Sequence, residues 1–343
     1  MNSQIRPKIA IVARKGLGDG LINLIIANNL RINDYDVTLY NNFMSQLTDW
    51  LPDLCIKPWP LLDDCEREFA TYDLVLADDS SIIGKPFQKK EDYSSLVKKY
   101  VYIGIGRLEP QLHSNHTLHL KDTLSKEKYD MLVNLASCSG TIKHQHGNLN
   151  YSQVENAAIF CKEKLRLKNV IREINLIPPE HLALKHKNHP KRVVIHPYSA
   201  YKRKNWPLTK YIKLADKLKI DGFDPVFICS LKERPDLINT LKGKYFIPLF
   251  PTIGDLASYI YESSLFIGND SGPAHLASAL NIPTVTIMFH KRNFYWRPDF
   301  SQPNVVILPP INIVIGPKSI WKWFVPVSKV YRETKKLIEL TIR

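Results

Sequence analysis

Three loops hold the residues whose types and spacing could do chemistry. The first reads Arg14-Lys15-Gly16-Leu17-Gly18-Asp19-Gly20. It sets one carboxylate, Asp19, between glycines at the start of a helix. That acid is either a functional carboxylate at the mouth of the sheet or the plain N-cap of the helix. A dinucleotide fingerprint would need a third glycine and an acid after the second strand. Leu21 and Asn41 stand in those places, which argues against NAD.

The second loop runs Gly268-Asn269-Asp270-Ser271-Gly272-Pro273-Ala274-His275. Asp270 or Ser271 can cap a helix, Pro273 suits its first turn, and Gly272 lets a ligand approach backbone amides, so the turn can cradle an anion. It also reads as an ordinary strand-to-helix turn, with His275 in the core. The third loop, His196 to Pro207, includes Ser199 and sets Lys202, Arg203 and Lys204 just before a helix start. A diphosphate lying there would meet both point charges and backbone donors. The alternative is a basic surface loop.

Other clusters are weaker. Glu233 is a candidate acceptor for ribose hydroxyls or a first-turn helix acid. The pairs Asp63-Asp64 and Asp78-Asp79 bring no third ligand at metal spacing and read as solvated turns. His113, His116 and His119 recur every third residue without a Cys, Asp or Glu to complete a site. No metal ligand set is expected. Five cysteines without a C-x-x-C pair (Cys55, Cys65, Cys138, Cys161, Cys229) read as free thiols.

The elements that must position these loops alternate in type. Lys8–Ala13, Asp36–Tyr40, Tyr72–Ala77 and Tyr100–Ile105 read as strands, with helices at Asp19–Leu30, Ser125–Cys138 and Ser152–Leu165. After Pro178-Pro179 and a polar stretch the alternation resumes. Strands are expected at Arg192–His196, Pro225–Cys229, Tyr245–Leu249, Leu265–Gly268 and Thr284–Met288. Helices are expected at Pro207–Ile220, Glu233–Leu241, Asp255–Glu262 and Pro273–Leu280, with a last amphipathic helix at Ser328–Arg343. The 343 residues therefore divide into two α/β domains, 1–180 and 191–325, followed by that helix.

Charge divides along the same line. Up to Glu180 there are 22 basic and 22 acidic residues, and beyond it 25 basic and 11 acidic, which accounts for the net +14. Leu182 to Ile220 is the densest part, with Asp216 its one acid. Such a field suits phosphates, nucleic acid or an anionic bilayer. No nucleic-acid module or aromatic stacking run accompanies it, so nucleic acid is not an expected partner. The stripe Lys210, Lys213, Lys217 reads as a solvated helix face. The apolar window Ser271–His290 is interrupted by Gly272, Pro273, His275 and Pro283, and Ile9–Ala13 is too short for a secretory core; both point to the cytoplasm.

Gly-Leu-Gly-Asp after the first strand, His196-Pro197 with Lys204-Asn205-Trp206-Pro207, and the run Asn269 to Leu280 together resemble the lipopolysaccharide heptosyltransferases of glycosyltransferase family 9. The resemblance implies a GT-B fold, with two Rossmann-like domains facing a cleft and a C-terminal helix returning to the first domain. It implies inverting transfer without a metal cofactor, from a nucleotide-sugar donor such as ADP-heptose to a lipopolysaccharide core or related glycolipid or oligosaccharide. Asp19 matches the family's base, with Gly16 and Gly18 in the acceptor-side loop. Lys204 matches the phosphate-binding lysine. Asp270, Ser271, Gly272 and His275 match the donor loop, Ser199 lies beside it, and Glu233 is the ribose contact. The expected location is the cytoplasmic face of the inner membrane, where the basic half would meet an anionic surface. Two departures stand out, Tyr198-Ser199 after His-Pro, where the family often has glycine, and Phe289-His290-Lys291-Arg292 after the last strand. A non-catalytic sugar-nucleotide-binding protein of the same fold is the competing expectation.

Overall fold

The computed structural model describes residues 6–78, 80–83, 100–104, 117–137, 140–141, 150–301, 303–310, 314–315 and 318–341. Asp79, His113, His116 and Cys138 lie outside the described residues. The chain forms two compact units, Met1–Ile177 and Pro178–Arg343.

The first unit is built on β1 (Lys8–Val12), β2 (Asp36–Tyr40), β3 (Cys55–Lys57), β4 (Leu74–Ala77), β5 (Tyr100–Gly104) and β6 (Gly140–Thr141). They run parallel in the order β3-β2-β1-β4-β5-β6. This is the doubly wound dinucleotide-fold order, whose switch point falls between β1 and β4. Helix α1 (Leu17–Ile32) crosses from β1 to β2, and Leu21, Ile22, Leu24, Ile25 and Ile26 are all fully buried. Helices α2 (Cys65–Ala70), α3 (Thr117–Thr123), α4 (Lys126–Ala136) and α5 (Gln153–Glu163) come after it. Ser152 opens α5 with a capping box, its hydroxyl taking the Glu155 N–H while the Glu155 carboxylate takes its own. The sequence pattern does not predict β3; at three residues it is too short to show an alternation.

In the second unit the parallel order is β11-β10-β9-β7-β8, from β7 (His189–His196), β8 (Asp224–Phe227), β9 (Ser263–Asn269), β10 (Thr284–Ile287) and β11 (Asn304–Ile307). The helices are α6 (Leu208–Ile220), α7 (Arg234–Leu241), α8 (Ile253–Tyr261) and α9 (Gly272–Ala279). The switch point lies between β7 and β9. The strand expected at Tyr245–Leu249 does not form. A single parallel bridge, Val226 to Phe246, marks its place beside β8. Pro248 cannot donate to a ladder, and Phe246 and Leu249 are exposed, so nothing extends the pairing.

The last helix, α10 (Val327–Thr341), also departs from expectation. The resemblance implies that it packs against the first domain. Its buried Val330, Leu337 and Ile338 instead join Leu214 and Leu218 of α6 in the core of the second. Tyr331 Oη donates to Asp221 Oδ2 at 2.8 Å, and Lys335 pairs with the same carboxylate at 3.1 Å. The apolar stripe is legible in the sequence, but a stripe does not say which face it covers.

Candidate functional site

At the first switch point the chain leaves β1 through Arg14. The Arg14 guanidinium bonds Asp78 Oδ1 at 3.3 Å and Ser80 Oγ at 2.9 Å, and Ser80 N–H donates to the same Asp78 oxygen at 2.8 Å. Asp78 is buried, so it is no solvated turn acid; it ties the end of β4 to the end of β1. Asp63 is exposed and Asp64 pairs with Arg67 at 2.8 Å, as a surface turn would.

Asp19 is not the N-cap. That position is Gly16, and Asp19 is the third residue of α1, a half-buried acid in its first turn. The positive end of the helix favours a carboxylate there. A Cβ on Gly16 would fall 2.3 Å from Asp19 Oδ2, so glycine leaves the carboxylate its space; Gly16 has φ −69°, an ordinary conformation. Gly18 lies between them in the same turn. Asn41, where a dinucleotide site would hold its acid, is fully buried. Its Nδ2 donates to the Arg14 carbonyl, and its Oδ1 accepts from Phe43 and Met44 N–H, both at 2.9 Å.

At the second switch point the loops after β7 and β9 meet. Lys204 Nζ donates to Asp270 Oδ2 at 2.8 Å, and the ammonium lies near the Tyr201 and Phe289 rings, 5.8 and 5.9 Å from their centroids. The Arg203 guanidinium approaches the same two rings at 5.8 and 5.9 Å. His275 is buried behind Asp270, its Nε2 3.9 Å from Oδ1. Burial lowers its pKa and the Lys204 charge adds to that, against the opposing pull of Asp270. Among the described residues its Nδ1 has no partner.

Ser271 is the N-cap of α9, but its hydroxyl makes no capping bond and instead lies 3.1 Å from His196 Nδ1. Burial brings the His196 pKa down to about 4, opposed by the Glu233 carboxylate. Gly272 opens the helix, Pro273 next to it has no N–H to offer, and the Ala274 and His275 amides donate to the Ser271 carbonyl at 3.1 and 3.3 Å. Glu233 Oε2 accepts from Ser230 N–H at 3.0 Å and from its hydroxyl at 2.6 Å. Ser199 Oγ donates to Asn205 Oδ1 at 2.7 Å, which commits its proton within the loop.

The second switch point thus brings together Lys204, Asp270, Ser271, Gly272 and His275, with His196 and Glu233 alongside; of these groups Lys204, with Arg203 beside it over the Tyr201 ring, and the N-terminal end of α9 are the features suited to an anion. Residues 144–310 match the family model for glycosyltransferase family 9 (heptosyltransferase). This confirms the family 9 resemblance. Every residue expected on the donor side lies inside the matched stretch, whereas Asp19 lies outside it. The Escherichia coli lipopolysaccharide heptosyltransferase 3 is 32% identical over 120 residues, 31% of this chain and 33% of that protein, so the match spans about a third of the curated relative.

Among solved structures, a family 9 glycosyltransferase from Veillonella parvula superposes with a TM-score of 0.65 at 13% identity, covering 98% of each chain. E. coli heptosyltransferase WaaC, in a structure with ADP, gives 0.61 at 14%, covering 96% of this chain and 99% of that one. These likenesses are likenesses of fold, and the fold is the GT-B class of the heptosyltransferases.

Sequence reasoning singles out neither Arg14 with Asp78 nor the Tyr201 and Phe289 rings. Adjacent acids read as surface because acids usually are, and only the position of Asp78 just past the end of β4 hints otherwise. Lys210, expected to be solvated, donates to the carbonyls of Lys322 and Val325 at 2.6 and 3.0 Å, while Lys213 and Lys217 are exposed as expected. Cys55, Cys65, Cys161 and Cys229 are free thiols. Among the described residues no group of three or more His, Cys, Asp or Glu could hold a metal ion, and no helix is long and apolar enough to cross a membrane.

Proposed function

We propose that the chain is an inverting, metal-independent glycosyltransferase that moves heptose from ADP-heptose onto a lipopolysaccharide core or related glycan acceptor, at the cytoplasmic face of the inner membrane. The observation that carries this reading is the Lys204–Asp270 pair at the start of α9, inside the stretch that matches the family. A departing nucleoside diphosphate needs its negative charge compensated. Lys204, Arg203 and the positive N-terminal end of α9 supply that compensation from the protein itself.

In this reading Asp19 accepts the proton of an acceptor hydroxyl as that oxygen bonds to the anomeric carbon. The bond from that carbon to the diphosphate oxygen breaks, and its electron pair leaves with the nucleotide. Because the nucleophile enters opposite the leaving group, the anomeric centre inverts. Glu233 accepts from ribose hydroxyls. The acceptor is a glycolipid or oligosaccharide, and the basic second domain favours an anionic membrane surface over a neutral one.

The direct test incubates the purified chain with ADP-heptose and a truncated core acceptor, with and without chelator, and follows ADP release and product by mass spectrometry. Transfer that survives chelator supports the reading. ADP binding without any turnover would favour a sugar-nucleotide-binding protein that has lost catalysis.

A further inference from the structure

One buried side chain joins both feet of the loop that carries Lys204. Asn269, the last residue of β9, is fully buried, and both ends of its carboxamide are used by backbone. Its Oδ1 accepts from Trp206 N–H at 2.9 Å, and its Nδ2 donates to the Pro197 carbonyl at 2.7 Å. The orientation is forced, because an N–H can only donate and a carbonyl can only accept. Ser199 and Lys204 lie between those feet. The next residue after Asn269 is Asp270, the partner of Lys204. Close approach continues one residue earlier, where a Cβ on Gly268 would lie 3.0 Å from the His196 carbonyl oxygen.

We infer that Asn269 is a positioning residue for the donor. By pinning the loop after β7 to the end of β9, it sets the place of the Lys204 ammonium relative to Asp270 and the start of α9. It touches no ligand and acts through Lys204. This rests on the reading of Lys204 as a diphosphate contact. The alternative is a structural amide that supports the fold and leaves ligand affinity alone.

Substitution separates the two. Asn269→Ala removes both bonds. Asn269→Asp keeps the shape and the acceptor for Trp206, but its ionised form turns a second acceptor toward the Pro197 carbonyl. Both variants, with Lys204→Ala and the double Asn269→Ala/Lys204→Ala, are titrated with ADP by calorimetry, and their melting temperatures are recorded. Ser263→Ala serves as control, since it removes a buried hydroxyl at the start of β9 that bonds Tyr259 O at 2.7 Å, away from the loop.

If Asn269 positions Lys204, Asn269→Ala weakens ADP binding about tenfold, whereas Ser263→Ala does not change it. The double variant then binds no more weakly than Lys204→Ala, because the pinned charge is already gone. Asn269→Asp recovers affinity relative to wild type as the pH falls toward protonation of its buried carboxyl, which can then donate to Pro197 O; Asn269→Ala shows no such recovery.

Should the alanine variant fail to fold, Asn269→Asp and Asn269→Ser carry the same comparison. Wild-type ADP affinity in the folded variants, or a loss that adds in full to that of Lys204→Ala, overturns the inference. If Lys204→Ala alone leaves ADP binding unchanged, the diphosphate reading itself has failed.

Discussion

The two domains share the strand order around their switch points, although the first sheet has six strands and the second five, and they mount different chemistry there. In the first, a carboxylate just past β4, Asp78, is paired with Arg14 just past β1, and the helix after β1 carries the acid Asp19 in its first turn. In the second, β7 ends in His196, Asp270 follows the end of β9, and the loop brings up Lys204 and Arg203. Each domain uses a buried asparagine to hold the chain leaving its first strand. Asn41 takes the Arg14 carbonyl and Asn269 the Pro197 carbonyl. The scaffold is therefore common, and the difference lies in the side chains mounted on it. An acid at a helix start suits removal of a proton; cations at a helix start suit an anion.

The sharpest way to break that contrast is Asp19→Asn. Transfer should fall by roughly 10² to 10⁴ while ADP affinity holds, as measured by initial rates and by calorimetry on one preparation. Wild-type turnover would remove the acid from the chemistry and leave the first domain with no reactive group assigned.

Next in size is a test of what belongs to the second domain. Leu337, almost fully buried on α10, packs in the core with α6. Leu337→Ala should lower stability by about 2 to 5 kcal/mol. Calorimetric unfolding should show the loss in the transition that ADP shifts. A loss confined to the other transition would return the helix to the first domain.

Lys204→Ala should weaken ADP binding roughly ten- to hundredfold, the worth of a charge-assisted contact. It also leaves Asp270 buried without its cation, so stability falls too. Adding Asp270→Asn should restore melting temperature without restoring affinity, which separates the electrostatic cost from the ligand contact.

How much of the molecule is legible in the sequence depends on how local each signal is. The strand-loop-helix units are readable because period and punctuation lie within a few residues, as at Pro207 before α6 or Asp221-Gly222 after it. The donor loops are readable because Lys204 and Asp270 stand near strand ends, where an α/β sheet binds ligands. Asp78 defeats such a reading, since its partner Arg14 is distant in sequence and burial is a tertiary fact. The same holds for α10, whose stripe matches α6 only once both are folded. Asp19 stays between two roles in the sequence because a one-turn shift in where α1 begins, at Leu17, decides between cap and first-turn acid.

The smallest effect concerns proton linkage, and it separates the domains by pH. His196 has its pKa brought down to about 4 by burial, against an ordinary histidine near 6.5, and burial moves His275 the same way. Between those values the unfolded chain binds a proton that folded His196 refuses. The unfolded state then holds more protons, so stability rises with pH across this window and is lost as pH falls from about 6.5 toward about 4. Each such histidine contributes at most about 1.4 kcal/mol per pH unit, and the nearby Glu233 carboxylate reduces the contribution of His196. The second domain should therefore melt earlier at mildly acidic pH, with net proton uptake on unfolding. His196→Gln should flatten the dependence, leaving the part due to His275 and to His186 and His290, whose pKa values burial also lowers. An unchanged slope in that variant would mean that His196 is solvated, and that the second switch point is less enclosed than its neighbours Ser271 and Asp270 make it.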